Sequence, residues 1–194
     1  MIDIGTDTPT NSDEFLVDTN VWALLVYTRM TSPRAKVAAY SSYVNQALTN
    51  GSILRRCGLT FAEIAHLIEK TEREIYQTAN PTPRIVTKEF RHNLPIQRAN
   101  VVSEIQSAWA QIKSMGKAAD VMVTDSLTDN SVVRIQTEPV DGYDLFLLEA
   151  SRLLGVDSIL TDDGDYCSVA NIRVFTRNRA VIEEASNQGK LVVR

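Results

Sequence analysis

The stretch Phe15-Leu16-Val17-Asp18-Thr19-Asn20-Val21 decides the fold prediction. A short apolar run of this kind predicts a buried β-strand, which here ends at Asp18. Thr19 or Asn20 then caps a predicted helix, because either side chain can accept a hydrogen bond from a free backbone N–H group. A short buried strand that leads directly into a helix is the repeating unit of α/β proteins.

Helices and short apolar strands keep alternating along the rest of the chain. Helices are predicted from Pro33 to about Asn50, from Thr60 to about Thr78, from about Pro95 to Met115 and from Gly142 to Leu154. Further strands are predicted within 52–59, 118–123, 158–161, 171–176 and 191–193. The alternation predicts a three-layer α/β/α sandwich with a mainly parallel sheet of roughly four or five strands.

Length and composition indicate one globular domain. The 194 residues are 44% hydrophobic and 23% charged, which is ordinary for a folded protein. Residues 1–13 are predicted to be disordered, and residues 14–194 to form the domain, with a helical insertion around 79–139. Two widely separated cysteines favour a reducing, cytoplasmic setting. No apolar run is long enough to cross a membrane.

The net charge of −4 hides an uneven distribution. Residues 19–119 carry 13 Lys/Arg and 6 Asp/Glu, a net +7, whereas residues 120–165 carry 2 Arg and 11 acids, a net −9. An acidic metal-binding centre beside basic phosphate-binding surfaces would produce this pattern. A solvated surface with a chance asymmetry would produce it equally well.

Acidic side chains are predicted to meet at one edge of the sheet. Asp18 ends the first strand, and Asp163 and Asp165 follow the strand at 158–161. Asp144 and Glu63 lie in the first turns of helices. Function collects at the carboxyl ends of parallel strands, so these segments can supply several carboxylates to one site. Such a set fits Mg²⁺ or Mn²⁺, and the two histidines of the chain give little support for zinc.

Each of these acids also has a purely structural interpretation. Thr60 and Glu63 have the spacing of a capping box, and Asp141 and Asp144 have the same spacing. The turn at 162–165 can be a polar exit from a strand. The metal-site interpretation therefore depends on the joint arrangement of the acids.

That arrangement resembles the PIN-domain superfamily of nucleases. The resemblance is carried by 15–21, by Leu-Thr-Phe-Ala-Glu-Ile at 59–64, by the helix at 144–155 and by Ser-Ile-Leu-Thr-Asp-Asp-Gly-Asp-Tyr at 158–166. It implies that the metal is held by Asp18, Glu63, Asp144 and Asp163, with Asp165 as an additional ligand. Asn20 and Thr161 would orient the site.

The same resemblance implies hydrolysis of RNA by a water molecule that Mg²⁺ or Mn²⁺ activates. The commonest relatives are toxins of toxin–antitoxin modules, which are often homodimers and are inhibited by a small antitoxin protein. The segment 79–139 is longer than in the small toxins. Basic residues outside the acidic block are the candidates for RNA binding: Arg29, Arg34, Arg55 and Arg56, and in the insertion Arg84, Lys88, Arg91 and Arg98.

Two other functions remain open at the level of sequence. A haloacid-dehalogenase-like phosphatase also places an Asp after its first strand, but it uses a second acid two residues later, where this chain has Asn20. A catalytically silent domain that binds RNA or a protein partner is the other alternative. The complete set of acids favours an enzyme over the silent domain.

Overall fold

The computed structural model describes all residues from Met1 to Arg194. Its strands are β1 (Ile2–Asp3), β2 (Glu14–Val17), β3 (Ile53–Cys57), β4 (Lys117–Ala119), β5 (Ser158–Leu160) and β6 (Arg173–Thr176). Its helices are α1 (Thr19–Val26), α2 (Arg34–Thr49), α3 (Leu59–Ala79), α4 (Thr87–Asn93), α5 (Pro95–Met115), α6 (Asp125–Arg134), α7 (Gly142–Leu154) and α8 (Arg179–Asn187). A short 3-10 helix, Asp165–Ser168, lies between β5 and β6.

The strands form one sheet in the order β1-β6-β5-β2-β3-β4, and every neighbouring pair is parallel. The predicted parallel α/β sheet is confirmed, although the sheet has six strands rather than four or five. From β2 the chain moves outward to β3 and β4, and from β5 it moves to β6 on the other side. The boundary between β2 and β5 is therefore the topological switch point, where open α/β sheets bind their ligands.

Alternating side chains of β2 divide the hydrophobic core into two layers. Phe15 and Val17 belong to the larger cluster, which includes side chains of α1, α2, α3 and α5. Leu16 belongs to the smaller cluster, which includes Leu145 and Leu148 of α7. Helices cover both faces of the sheet, which gives the predicted three-layer arrangement and explains why β2 is a continuous apolar run.

The prediction that residues 1–13 are disordered is wrong. Ile2 and Asp3 form the edge strand β1, which pairs with β6, and the side chains of Ile2 and Ile4 are buried. The segment is polar and has no local pattern that predicts a strand. Its order comes from contacts with β6 and with Arg194 at the other end of the chain, which the local sequence does not show. The additional strand predicted at 191–193 is not formed.

The segment 79–139 is helical as predicted, but it is also part of the sheet. It contains α4, α5 and α6, and α5 packs against α1 and α3. Its strand β4 extends the sheet beside β3, but it overlaps the strand predicted at 118–123 only at residues 118 and 119. None of the helices is long and apolar enough to span a membrane.

Candidate functional site

A cleft of about 360 Å³ opens beside the carboxyl end of β2. Five acidic residues line it: Asp18, Glu63, Asp141, Asp144 and Asp163. They come from the end of β2, from α3, from the start of α7 and from the turn after β5. The four acids predicted to share a site are therefore brought together at the switch point of the sheet.

Asp18 is held in place by the two residues predicted to orient the site. It occupies the N-cap position of α1, but its side chain caps no backbone group. Instead, its Oδ2 accepts hydrogen bonds from Asn20 Nδ2 and Thr161 Oγ1, each at 2.6 Å. Asn20 Oδ1 also accepts from the backbone N–H of Asp162 at 3.1 Å. These contacts tie the end of β2 to the turn after β5.

Glu63 does not belong to a capping box. Helix α3 begins at Leu59 after an N-cap at Gly58, so Thr60 lies inside the helix. The Glu63 carboxylate accepts a hydrogen bond from the hydroxyl group of Thr19 at the start of α1. This contact directs Glu63 into the cleft rather than towards its own backbone.

In α7 the capping role and the cleft position belong to two different acids. Asp141 is the N-cap, and its Oδ1 accepts from the backbone N–H groups of Tyr143 at 2.8 Å and Asp144 at 3.0 Å. Asp144 Oδ1 accepts from the hydroxyl group of Tyr166 at 2.6 Å. Asp144 therefore faces the cleft, and Tyr166 of the 3-10 helix holds its side chain in place.

The turn after β5 contributes one acid to the cleft rather than two. Asp163 lines the cleft, and its Oδ1 accepts from the backbone N–H of Asp165 at 2.9 Å. Asp165 begins the 3-10 helix, is exposed and does not line the cleft. Its predicted role as an additional ligand has no support in this arrangement.

Burial and mutual repulsion oppose ionisation of the cleft acids. Burial raises the pKa of Asp18 from 3.8 to about 7, and the nearby charges of Asp144 and Glu63 contribute to the rise. Burial raises the pKa of Asp144 to about 6, again with contributions from neighbouring acids, Asp141 and Asp163. The pKa of Glu63 is raised too, mainly by burial. A cation in the cleft would relieve this repulsion.

The donor set fits a hard divalent cation. One oxygen each of Asp18, Glu63, Asp144 and Asp163 accepts a hydrogen bond that positions the side chain, and the other receives no side-chain donor. None of the four forms an ion pair with Lys, Arg or His. No group of three or more Asp, Glu, His or Cys side chains forms a ready-made metal cage. Mg²⁺ does not need one, because it is usually held by one or two carboxylates together with water and substrate phosphates.

Sequence reasoning missed several residues at this site. His66, Leu67 and Lys70 line the cleft with Glu63, and the helical spacing of α3 from Glu63 would have placed them on its face. In the sequence, Tyr166 is only the last residue of the motif at 158–166. Its contact with Asp144 depends on how the 3-10 helix meets α7, which no local pattern reveals.

Most of the arginines predicted to bind RNA make contacts within the protein. Arg29 pairs with Glu72, and Arg55 pairs with Glu14 and donates to the Ala118 carbonyl group. Arg56 donates to the Gly116 carbonyl group, and its guanidinium lies over the Trp109 ring.

Arg34 is exposed and forms no ion pair. Of the candidates in the insertion, Arg91 forms a bidentate pair with Glu69, whereas Arg84 and Lys88 are exposed.

Comparisons of this chain with protein-family models, with curated proteins and with solved structures found no match.

Proposed function

We propose that this protein is a metal-dependent ribonuclease that hydrolyses phosphodiester bonds of RNA. One observation carries the proposal: four carboxylates from four separate segments line one cleft at the switch point of a parallel sheet, and no basic side chain pairs with them. Acids that only stabilised the fold would have cations or helix ends as partners, as Asp141 has.

Asp18, Glu63, Asp144 and Asp163 are the proposed ligands of Mg²⁺ or Mn²⁺. When bound, the cation would polarise the scissile phosphate, lower the pKa of the attacking water and stabilise the leaving oxygen. The protein contributes a fixed arrangement of oxygen ligands. Asn20 and Thr161 hold Asp18, Thr19 holds Glu63, and Tyr166 holds Asp144.

Basic groups near the cleft support a phosphate-containing polymer as the substrate. His66 and Lys70 line the cleft, about one and two turns along α3 from Glu63. A cationic side chain beside the acids can bind a phosphate adjacent to the one that is cleaved. RNA rather than DNA is proposed from the resemblance of the four motifs to PIN-domain nucleases.

A role as the toxin of a toxin–antitoxin module belongs to the same proposal. It includes a cytoplasmic location, a homodimer and a small antitoxin protein as the inhibitor. It is supported by the same four motifs, and the length of the segment 79–139 separates this chain from the small toxins.

The test is a cleavage assay on RNA and on a phosphomonoester, each with Mg²⁺, with Mn²⁺ and with EDTA. We expect RNA cleavage that requires the metal and disappears in Asp163→Asn. Hydrolysis of the phosphomonoester alone would instead identify a phosphatase. Binding of RNA without cleavage under any of the metal conditions would identify a silent domain.

A further inference from the structure

A second, smaller cavity lies against the same carboxylates as the cleft. Asp18, Glu63 and Asp144 line both spaces, and the small cavity is completed by residues that include Thr60, Cys57 and Tyr166. Its interior has room for about one water molecule. It differs from the cleft in being more enclosed, with Cys57 and other apolar groups in its wall.

Thr60 carries the one buried hydroxyl group at this site without a protein partner. Its side chain is buried, with 1% of the residue exposed, and its Oγ1 makes no hydrogen bond to any protein group. The hydroxyl groups of Thr19, Thr161 and Tyr166 all donate to carboxylates of the cleft. A buried hydroxyl group that loses water without gaining a partner is costly, so it calls for an explanation.

We propose that the small cavity is a binding site for one ordered water molecule, which Thr60 holds against the cleft carboxylates. A buried water molecule typically makes about three hydrogen bonds. Here the Thr60 hydroxyl supplies one, and the water donates its two hydrogens to carboxylate oxygens of Asp18, Glu63 or Asp144 that have no side-chain donor. Thr60 is then a positioning residue that acts on the acids through this water.

The size and lining of the cavity favour water over a cation. A divalent cation that keeps part of its hydration shell needs more room than a single water site offers. The open cleft, which the same carboxylates also line, provides that room. The water would therefore fix the ligand side chains from the small cavity while the cation binds in the cleft.

The link from this water to metal binding rests on the proposed function, whereas the water site itself does not. Hydrogen bonds that support metal ligands typically change metal affinity by about 10-fold to 100-fold when they are removed. Thr60→Val removes the hydroxyl group with almost no change in shape, and Thr60→Ser keeps it. Thr78→Val is the matched control, because Thr78 lies on the same helix and bonds to the backbone carbonyl of Glu74 at 2.9 Å.

The experiment combines a crystal structure of the wild-type protein and of Thr60→Val with Mn²⁺ titration calorimetry of all three variants. We expect a water molecule within hydrogen-bond distance of Thr60 Oγ1 in the wild type and none there in Thr60→Val. We expect Thr60→Val to weaken Mn²⁺ binding by about 10-fold or more. Thr60→Ser and Thr78→Val should stay within about twofold of the wild type.

Two results would overturn the inference: a cation bound directly to Thr60 Oγ1, or a wild-type crystal structure with no solvent in the cavity. Unchanged Mn²⁺ affinity in Thr60→Val would remove the positioning role. A wild type that binds no Mn²⁺ but holds the water contradicts the proposed function and leaves the water site standing. If Thr60→Val does not fold, Thr60→Ala takes its place in the titration, and the wild-type crystal structure still tests the water site.

Discussion

Asp13 and Asp18 lie at the two ends of β2. Both are buried, with exposed fractions of 8% for Asp13 and 7% for Asp18. Burial alone would raise the pKa of both. For Asp13 that rise is overcome by hydrogen bonds from Arg194 and Thr10, so its pKa lies below the usual value. For Asp18 the nearest charges are other acids, and its pKa rises to about 7.

The difference separates an acid whose charge is neutralised within the chain from acids that form no ion pair. Arg194 donates to both Asp7 and Asp13, with N–O distances of 2.6–3.0 Å. It thereby neutralises two buried carboxylates from within the chain. The cleft at the opposite end of β2 brings together carboxylates that form no ion pair with a basic side chain. Clusters of carboxylates with raised pKa values are typical of functional sites.

The largest expected effect is the loss of RNA cleavage in Asp144→Asn. The amide still accepts a hydrogen bond from Tyr166 but has no charge for a cation, so we expect the rate with Mn²⁺ to fall by more than about 100-fold. Asp165→Asn is the matched control, because Asp165 is a neighbouring acid outside the cleft. Cleavage by Asp144→Asn at the wild-type rate, with the fold verified by circular dichroism, would refute the metal site.

Removing Arg194, which pairs with Asp7 and Asp13 beside the start of β2, should have a large effect on stability. Arg194→Met leaves Asp7 and Asp13 buried without a cation, which we expect to lower the free energy of unfolding by about 3 kcal/mol. Arg173→Met removes an exposed pair with Asp157 and should cost about 1 kcal/mol or less. Urea unfolding at neutral pH measures both. Equal losses in the two variants would show that burial of the Arg194 pairs contributes nothing.

Neutralising one acid of the cleft should raise the free energy of unfolding, whereas removing Arg194 lowers it. Asp144→Asn removes one of several repelling charges, so we expect the metal-free protein to gain roughly 1–2 kcal/mol at pH 8. Mn²⁺ should raise the melting temperature of the wild type and have little effect on the variant. Thermal melting with EDTA and with millimolar Mn²⁺ tests this. A wild-type melting temperature that Mn²⁺ does not change, together with a destabilised variant, would contradict the metal site.

The metal-free wild type should also become less stable as pH rises from about 4 to about 7. The folded protein keeps protons on Asp18 and Asp144 that the unfolded chain, with ordinary values near 3.8, has already lost. Their contribution is therefore complete at low pH and disappears through the folded pKa values. Urea unfolding in EDTA across this range measures the slope, which Asp18→Asn should reduce. A slope unchanged by that substitution would mean that Asp18 ionises normally.

The smallest expected effect concerns Lys70. One phosphate contact should contribute about 0.7 to the slope of log affinity against log salt for single-stranded RNA. Lys70→Gln should lower affinity and reduce that slope by this amount, whereas Lys113→Gln, an exposed lysine outside the cleft, should change neither. Filter binding at several salt concentrations in EDTA provides the measurement. Identical slopes for wild type and Lys70→Gln would exclude Lys70 from RNA binding.

The sequence alone determined that the sheet is parallel and that two of the acids lie at one edge of it. The apolar runs at 15–17 and 158–160 predict strands that are buried on both faces, and such strands pair in parallel. Because parallel strands end at the same edge, Asp18 and Asp163 had to lie at the same edge of the sheet, whereas the pairing of β2 with β5 that makes them neighbours is a feature of the tertiary structure. These conclusions need only the local pattern and the geometry of the sheet.

Only the tertiary structure decided what each charged side chain does. The spacing of Thr60 and Glu63 fits a helix cap as well as a cleft, and the contact with Thr19, 44 positions away, excludes the cap. Asp13 and Asp18 look alike in the sequence, and Arg194 makes one of them structural. The physical reason is that the ionisation and role of a buried charge depend on its spatial neighbours, and those neighbours come from distant parts of the chain.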